Sequence, residues 1–214
     1  MSKADLHVHS KYSNRPSEWI FKQIKTAESY TELEQVYLMA KAAGMDYVTL
    51  TDHDTVEGSL KLKDMYPGDV FTGVEVTTTF PEDNCKMHLL VYDLTRQQFE
   101  HIDQIRSNIY QLRDYLLKEN LPHSLAHATF GVNGKLSVEV LEKLILLFDV
   151  FEGINGARSA YANHSWMQIL GSLQPAHIEQ LYNKYRIEPA REETASSRIS
   201  NFGLSTNARA IAMR

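Results

Sequence analysis

The sequence has almost no cysteine, since Cys85 is the single thiol among 214 residues. An internal disulfide is therefore excluded, and this cysteine usage is typical of a reducing compartment. The first ten residues also lack the apolar segment that a secretory signal needs, so we expect a cytoplasmic protein. Cys85 itself lies in a polar stretch, PEDNCK, and is predicted to be an inert loop residue.

Long hydrophobic runs and an excess of charge of one sign are missing as well. The longest apolar stretch, residues 140–151, is interrupted by Glu142, Lys143 and Asp149, and a membrane span needs about 20 apolar residues. With 22 basic against 27 acidic residues, the formal net charge is -5, which gives no overall attraction for nucleic acid. We therefore expect no membrane partner, and nucleic acid at most as a local substrate.

What is present is a strand–helix alternation. Strand-like runs rich in Val, Thr and Phe occupy residues 5–9, 47–53, 70–79, 87–92, 123–129 and 149–154. Apolar residues three and four positions apart predict one helix over 102–116 and another over 138–148, and Gly44 ends a third. This order predicts an α/β fold, either a barrel or a wound sheet. Residues 190–214 have no strand signal and no His or Asp, and they are expected to form a polar tail.

Histidine is conspicuous, with nine in the chain. His7 and His9 alternate in the first strand-like run, so both rings are predicted on one face. The next four runs carry the candidates His53, Glu75, His88 and His127, whereas His123, at the entrance of the last of these runs, is left out of the site. Most lie near the carboxyl ends of their runs, where α/β folds place their sites, although His88 begins its run. Each alone fits a core histidine, but together they predict a metal cluster, since imidazoles and carboxylates bind Mn, Zn or Fe.

The motifs DLHVHS, TDHDT, GVEVT, HLLVYD, SLAHATF and FEGING occur in this order. In that order they resemble the PHP family (polymerase and histidinol phosphatase domains), of the metal-dependent phosphoesterase type. The resemblance covers residues 4–189, so we divide the chain into a PHP domain at 1–189 and a tail at 190–214. It implies a distorted seven-stranded β/α (TIM-like) barrel with two or three divalent ions at its mouth. In some longer relatives this module precedes a glycosyltransferase domain, which is the partner that the resemblance implies for those relatives.

The resemblance also implies a role for each residue of the cluster. His7 and His9 would hold the first metal, and Glu75 would bridge it to the second; these three are the expected catalytic residues. His88 and His127 would complete the ligands of the second metal. A metal-activated water would then hydrolyse the phosphate ester of a small phosphorylated substrate.

Five further residues have implied or expected roles around the cluster. His53 would serve a third metal, with Asp52 and Asp5 as carboxylates that orient the ligands. Arg15 and Arg158 lie in the loops after the first and sixth strands and are candidates to bind the phosphate. A solvated loop charge is the alternative reading for each arginine.

Two departures from the family pattern bear on activity. The family's third-metal Asp is replaced by Asn14, and the Gly-Ser-Asp-x-His run that follows its seventh strand has no counterpart in residues 190–214. The last strand is therefore expected to be missing or altered, with metal affinity and turnover reduced. Two alternatives stay open: a degenerate, non-catalytic PHP module, and a metal-dependent amide or ester hydrolase.

Overall fold

The computed structural model describes residues 2–13 and 29–187, together with the backbone of residues 210–211. Its strands are β1 Ala4–Asp5, β2 Tyr47–Val48, β3 Gly73–Thr79, β4 Lys86–Tyr92, β5 His123–Leu125, β6 Phe151–Glu152 and β7 Ala210–Ile211. Its helices are α1 Leu33–Ala42, α2 Glu57–Met65, α3 Arg96–Ile105, α4 Ile109–Lys118, α5 Val138–Leu147, α6 Ala160–Ser172 and α7 Pro175–Tyr185. The predicted mixed α/β class is confirmed.

The strands form two sheets rather than a closed ring. β1 pairs with β2 in parallel, and a second sheet has the order β3-β4-β5-β6-β7. Isolated parallel bridges, Val48 with Val70 and His53 with Glu75, link the β2 region to β3. β4 is antiparallel to both β3 and β5. For β3 and β4 the reason is the connection, since six residues are too few for a parallel crossover. Over the described residues no pairing joins β7 to β1, so the predicted seven-stranded barrel is not shown.

The first two strands are much shorter than the sequence patterns predict. β1 ends at Asp5 and β2 ends at Val48, so His7, His9 and His53 follow the strands instead of lying in them. One backbone hydrogen bond and one side chain join these two segments: the Thr51 amide donates to the Val8 carbonyl at 2.8 Å, the Val8 amide donates to Thr51 Oγ1 at 3.0 Å, and that hydroxyl donates to the Val8 carbonyl.

The single helix predicted over residues 102–116 is two helices, α3 and α4. Asn108 separates them because its side-chain oxygen accepts hydrogen bonds from the Tyr110 and Gln111 amides, which is the usual role of an N-cap. The predicted apolar face persists across the break, and Ile102 and Leu112 are both fully buried on it.

The apolar core has a larger cluster, a smaller one, and a third of only three residues, Leu90, Tyr92 and Ala126. The larger one packs β3 and β4 against the five helices α3 to α7. The smaller one joins α1, α2 and the β2 region through Leu33, Val36, Val48, Leu50, Leu62 and Val70. Cys85, predicted to be an inert loop residue, lies in the turn between β3 and β4, and its side chain is fully buried in the larger cluster. Its carbonyl accepts the Phe80 amide at the β3–β4 turn, and burial raises the pKa of its thiol.

Part of the predicted tail pairs with the sheet. β7 lies parallel to β6, with Phe151 opposite Ala210 and Glu152 opposite Ile211. The remaining residues of 190–214 lie outside the described part of the chain. None of the helices described is long and apolar enough to cross a bilayer.

Candidate metal centre

The centre is built around Glu75, a fully buried carboxylate on β3. Its Oε2 atom faces three imidazoles at similar distances: His7 Nε2 at 3.1 Å, His9 Nε2 at 3.2 Å and His53 Nε2 at 3.3 Å. All three rings come from the segments that follow β1 and β2. Three histidines that were selected from the sequence therefore surround one oxygen atom of Glu75.

The other oxygen of Glu75 faces two more histidines. His88 Nδ1 lies 2.8 Å and His127 Nε2 lies 3.0 Å from Oε1. His88 begins its strand, unlike the other site residues, because β4 runs antiparallel to its neighbours. The amino end of β4 thus lies at the same edge as the carboxyl ends of the parallel strands.

Among the described residues, the five histidines of the centre differ in exposure. The side chains of His53, His88 and His127 are buried, whereas His7 keeps 9% and His9 21% of its side-chain surface. A ligand can therefore reach the centre past His9.

Two site residues were not singled out from the sequence, Glu152 at the end of β6 and Asn155 in the loop that follows. Glu152 Oε1 lies 2.9 Å from His7 Nδ1, and Oε2 accepts the His127 amide at 2.7 Å. Asn155 Nδ2 donates to Glu152 Oε1 at 3.0 Å. The hydrogen bond to the His127 amide holds a backbone with φ of 26°, a left-handed conformation that non-glycine residues rarely adopt.

The two carboxylates expected to orient ligands act on the backbone, not on imidazoles. Asp52 accepts the Ser10 amide at 2.5 Å and the Ser10 hydroxyl at 2.8 Å, which fixes the chain directly after His9. Asp5 accepts the His7 amide at 3.3 Å. Burial raises the pKa of both carboxyls.

The electrostatics of the centre favour positive charge beside Glu75. Burial lowers the pKa of His7, but the carboxylates of Glu75 and Glu152 outweigh it and raise that pKa to about 10. Burial raises the pKa of Glu75, and the surrounding histidines reverse this and bring it well below its usual value. Burial lowers the pKa of His88.

The arrangement fits divalent metal ions. An ionised carboxylate has about four lone-pair positions, yet five imidazoles approach Glu75. His88 lies close to Oε1 without hydrogen-bond geometry, and the Nδ1 atoms of His9 and His127 are buried with no hydrogen-bond partner among the described residues. Two sets of ligand atoms lie within 4.8 Å of one another: His7, His9 and Glu75, and His53, Glu75 and His88. Two ligand atoms that are each about 2.1 Å from one ion lie at most about 4.2 Å apart, so these two sets are near the spacing that a shared ion requires.

The two candidate phosphate-binding arginines fare differently. Arg15 lies outside the described residues. Arg158 follows β6, and its guanidinium carbon lies 3.5 Å from the centre of the Phe130 ring, which in turn packs edge-on against His127 at 5.6 Å. Within the described part of the chain, the buried Nε atom of Arg158 has no hydrogen-bond partner.

Comparisons with known proteins show the fold but no family. No protein-family model matches the chain. An uncharacterised protein of Methanocaldococcus jannaschii is 36% identical over 80 residues, which is 36% of this chain and 45% of that protein, so the match spans less than half of the relative.

Two solved structures are similar in fold, each at 13% identity. One is a Bifidobacterium adolescentis protein assigned as a metal-dependent phosphoesterase, with a TM-score of 0.50 over 78% of this chain and 82% of that one. The other is an amidohydrolase of Chromobacterium violaceum with bound sulfate and no metal, with a TM-score of 0.55 over 79% and 83% of the two chains.

Proposed function

We propose that this protein is a metal-dependent hydrolase of phosphate esters. The observation that carries the proposal is the position of Glu75: each of its oxygens faces a separate set of imidazoles, which is how a carboxylate that bridges two metal ions is placed. His7, His9, His53, His88 and His127 would be the remaining ligands. Manganese, zinc and iron all suit this mixture of nitrogen and oxygen atoms.

Bound ions would supply a nucleophilic water at neutral pH and neutralise charge on the phosphoryl oxygens. The protein's own residues prepare for this. Ionised Glu152 can only accept hydrogen bonds, so His7 Nδ1 must carry the proton that it donates to Glu152. The other ring nitrogen, His7 Nε2, would then be the atom that binds a metal. Glu152 also holds the backbone of His127, so one carboxylate orients a ligand in each half of the centre.

Arg158 would bind the phosphate. Its guanidinium carbon lies 3.5 Å from the centre of the Phe130 ring, which contacts His127, and its Nε–H has no hydrogen-bond partner among the described residues. A planar fork of donors suits two oxygens of one phosphate. Arg158→Lys would keep the charge and lose the fork, so we expect it to raise KM more than it lowers kcat.

Amide hydrolysis is the competing candidate, favoured by the fold likeness to an amidohydrolase. A panel of phosphomonoesters, phosphodiesters, acyl esters and amides decides between them, assayed on protein loaded with Mn²⁺ and on protein stripped with a chelator. We expect turnover of phosphoesters alone, lost on stripping and restored by Mn²⁺. Turnover of amides alone would reject the phosphoesterase, and tight Mn²⁺ binding with no turnover of any substrate would indicate the non-catalytic module.

A further inference from the structure

Asn155 connects the metal centre to the loop that carries Arg158. Its side-chain Nδ2 donates to Glu152 Oε1 at 3.0 Å and lies 3.4 Å from His7 Nδ1. Its Oδ1 accepts the Ala157 amide at 2.9 Å, and its carbonyl accepts the Arg158 amide at 3.1 Å. Any movement of Asn155 therefore changes both the carboxylate beside His7 and the turn that leads to the arginine.

The backbone of Asn155 is held in turn by one side chain on α6. The Asn155 amide donates to Asn163 Oδ1 at 3.1 Å, and Asn163 Nδ2 donates to the Asn155 carbonyl at 3.0 Å. α6 is a firm support, because Ser159 caps its first turn and Trp166 is buried in the larger core. The two-pronged amide contact fixes both polar backbone atoms of the loop residue.

We propose that Asn163 is a positioning residue for the metal centre, acting through Asn155 and Glu152 on His7. The proposal rests on the proposed function, since what Asn163 positions is a set of metal ligands. Outer residues that orient a ligating histidine typically contribute about 10- to 100-fold to metal affinity. Along this route Asn163 is three hydrogen bonds away from the His7 ring, so we expect the lower end of this range.

Two variants separate the parts of the contact. Asn163→Ala removes both hydrogen bonds. Asn163→Asp keeps an acceptor for the Asn155 amide but turns an oxygen toward its carbonyl. Gln168→Ala is the matched control, because Gln168 is an exposed amide on the same helix.

The measurements use the whole chain and the metal alone. Metal-free protein is titrated with Mn²⁺ for the dissociation constant, the visible spectrum of the Co²⁺ form reports ligand geometry, and the Tm of the metal-free form reports stability. We expect both Asn163 variants to bind Mn²⁺ about tenfold more weakly and to alter the Co²⁺ spectrum, with Gln168→Ala unchanged in both. If Asn163→Ala does not fold, the result for Asn163→Asp decides.

Two outcomes would overturn the positioning role. One is Mn²⁺ affinity and a Co²⁺ spectrum equal to the wild type in the Asn163 variants. The other is a fall in metal-free Tm with the metal properties of the folded fraction unchanged, which would make Asn163 only a structural tie. Wild-type protein that binds Mn²⁺ but hydrolyses no phosphoester would reject the proposed function and leave this inference intact. Wild-type protein that binds no Mn²⁺ would reject both.

Discussion

The two sides of the metal centre hold their ligands by different means. The amino-terminal wall consists of the segments that follow β1 and β2, up to residue 53. Its ligands, His7, His9 and His53, lie beyond strands of only two residues. The central wall consists of β3 to β6. Its ligands Glu75 and His88 lie inside two seven-residue strands that pair with each other along their whole length. A continuous ladder of backbone hydrogen bonds fixes the central wall. The amino-terminal wall has only scattered backbone hydrogen bonds, such as Thr51 amide to Val8 carbonyl at 2.8 Å, and side chains of Thr51 and Asp52 supply further contacts.

The apolar support differs in the same sense. The central wall rests on the larger core cluster, and the amino-terminal wall rests on the smaller one. Side-chain substitutions should therefore disturb the amino-terminal wall more than the central one, because a strand ladder survives most changes of side chain. The exception is Glu75, which touches ligands from both walls.

The largest effect is expected for Glu75→Gln. The neutral amide removes the negative charge that all five histidines face, so Mn²⁺ affinity should fall by more than the roughly 100-fold typical of outer residues. Metal content after desalting measures this, with the exposed Glu179→Gln on α7 as the control. Wild-type metal content in Glu75→Gln would mean that the two walls hold metal independently of this carboxylate.

Asp52→Asn tests the amino-terminal wall. The new amide would place a donor against one of the two donors of Ser10, releasing the chain after His9. We expect Mn²⁺ binding to weaken about tenfold, while the circular dichroism of the fold is kept. The exposed Asp64→Asn on α2 is the control, and equal Mn²⁺ affinities in the two variants would contradict a wall held by side chains.

Gly58→Ala, at the start of α2, probes the packing behind the same wall. An added methyl group would overlap Asp52 Oδ2 and press on Ser10 Oγ. We expect a loss of about 1–3 kcal/mol in the free energy of unfolding, read from urea denaturation. Gly171→Ala in α6, where a methyl group meets nothing, should instead stabilise by up to about 1 kcal/mol. Stabilisation by both substitutions would show that Asp52 moves aside freely.

The last prediction compares the same change, threonine to valine, at one position on each wall, and its Thr78 member is the smallest effect expected. Thr51→Val removes the hydroxyl that bonds both backbone groups of Val8 and should cost about 1–3 kcal/mol. Thr78→Val, in β3, removes a buried hydroxyl with no partner among the described residues and should be neutral or slightly stabilising. Urea denaturation measures both, and equal losses would remove the distinction between the walls.

The sequence predicted the composition of the centre better than its framework. The five candidate histidine ligands from His7 to His127 all surround Glu75, the sixth candidate. Residue type and position in a strand-like run were enough to identify each of them. The antiparallel direction of β4 was missed, since the periodicity of apolar residues does not depend on the direction in which a strand runs. The six residues between β3 and β4 were the available signal, because a parallel connection needs about a dozen.

Glu152 and Asn155 were missed although their motif, FEGING, was noted. The argument that identified Glu75, an acid at a strand that must be paired when buried, applies equally to Glu152. Asn155 could not have been found in this way, because its role depends on a contact with α6 that no local pattern encodes. The break between α3 and α4 was signalled by Asn108, a good N-cap residue in the middle of an apolar periodicity.

Cys85 gives the molecule a reporter of its own opening. The thiol is fully buried at the turn between the two strands that carry Glu75 and His88, and burial raises its pKa. A thiol reagent can therefore reach it only when the β3–β4 hairpin separates from the larger core. The rate at which Cys85 is labelled therefore measures how often the central wall opens. A slower rate in the presence of Mn²⁺ would show that a bound ion stabilises the closed state.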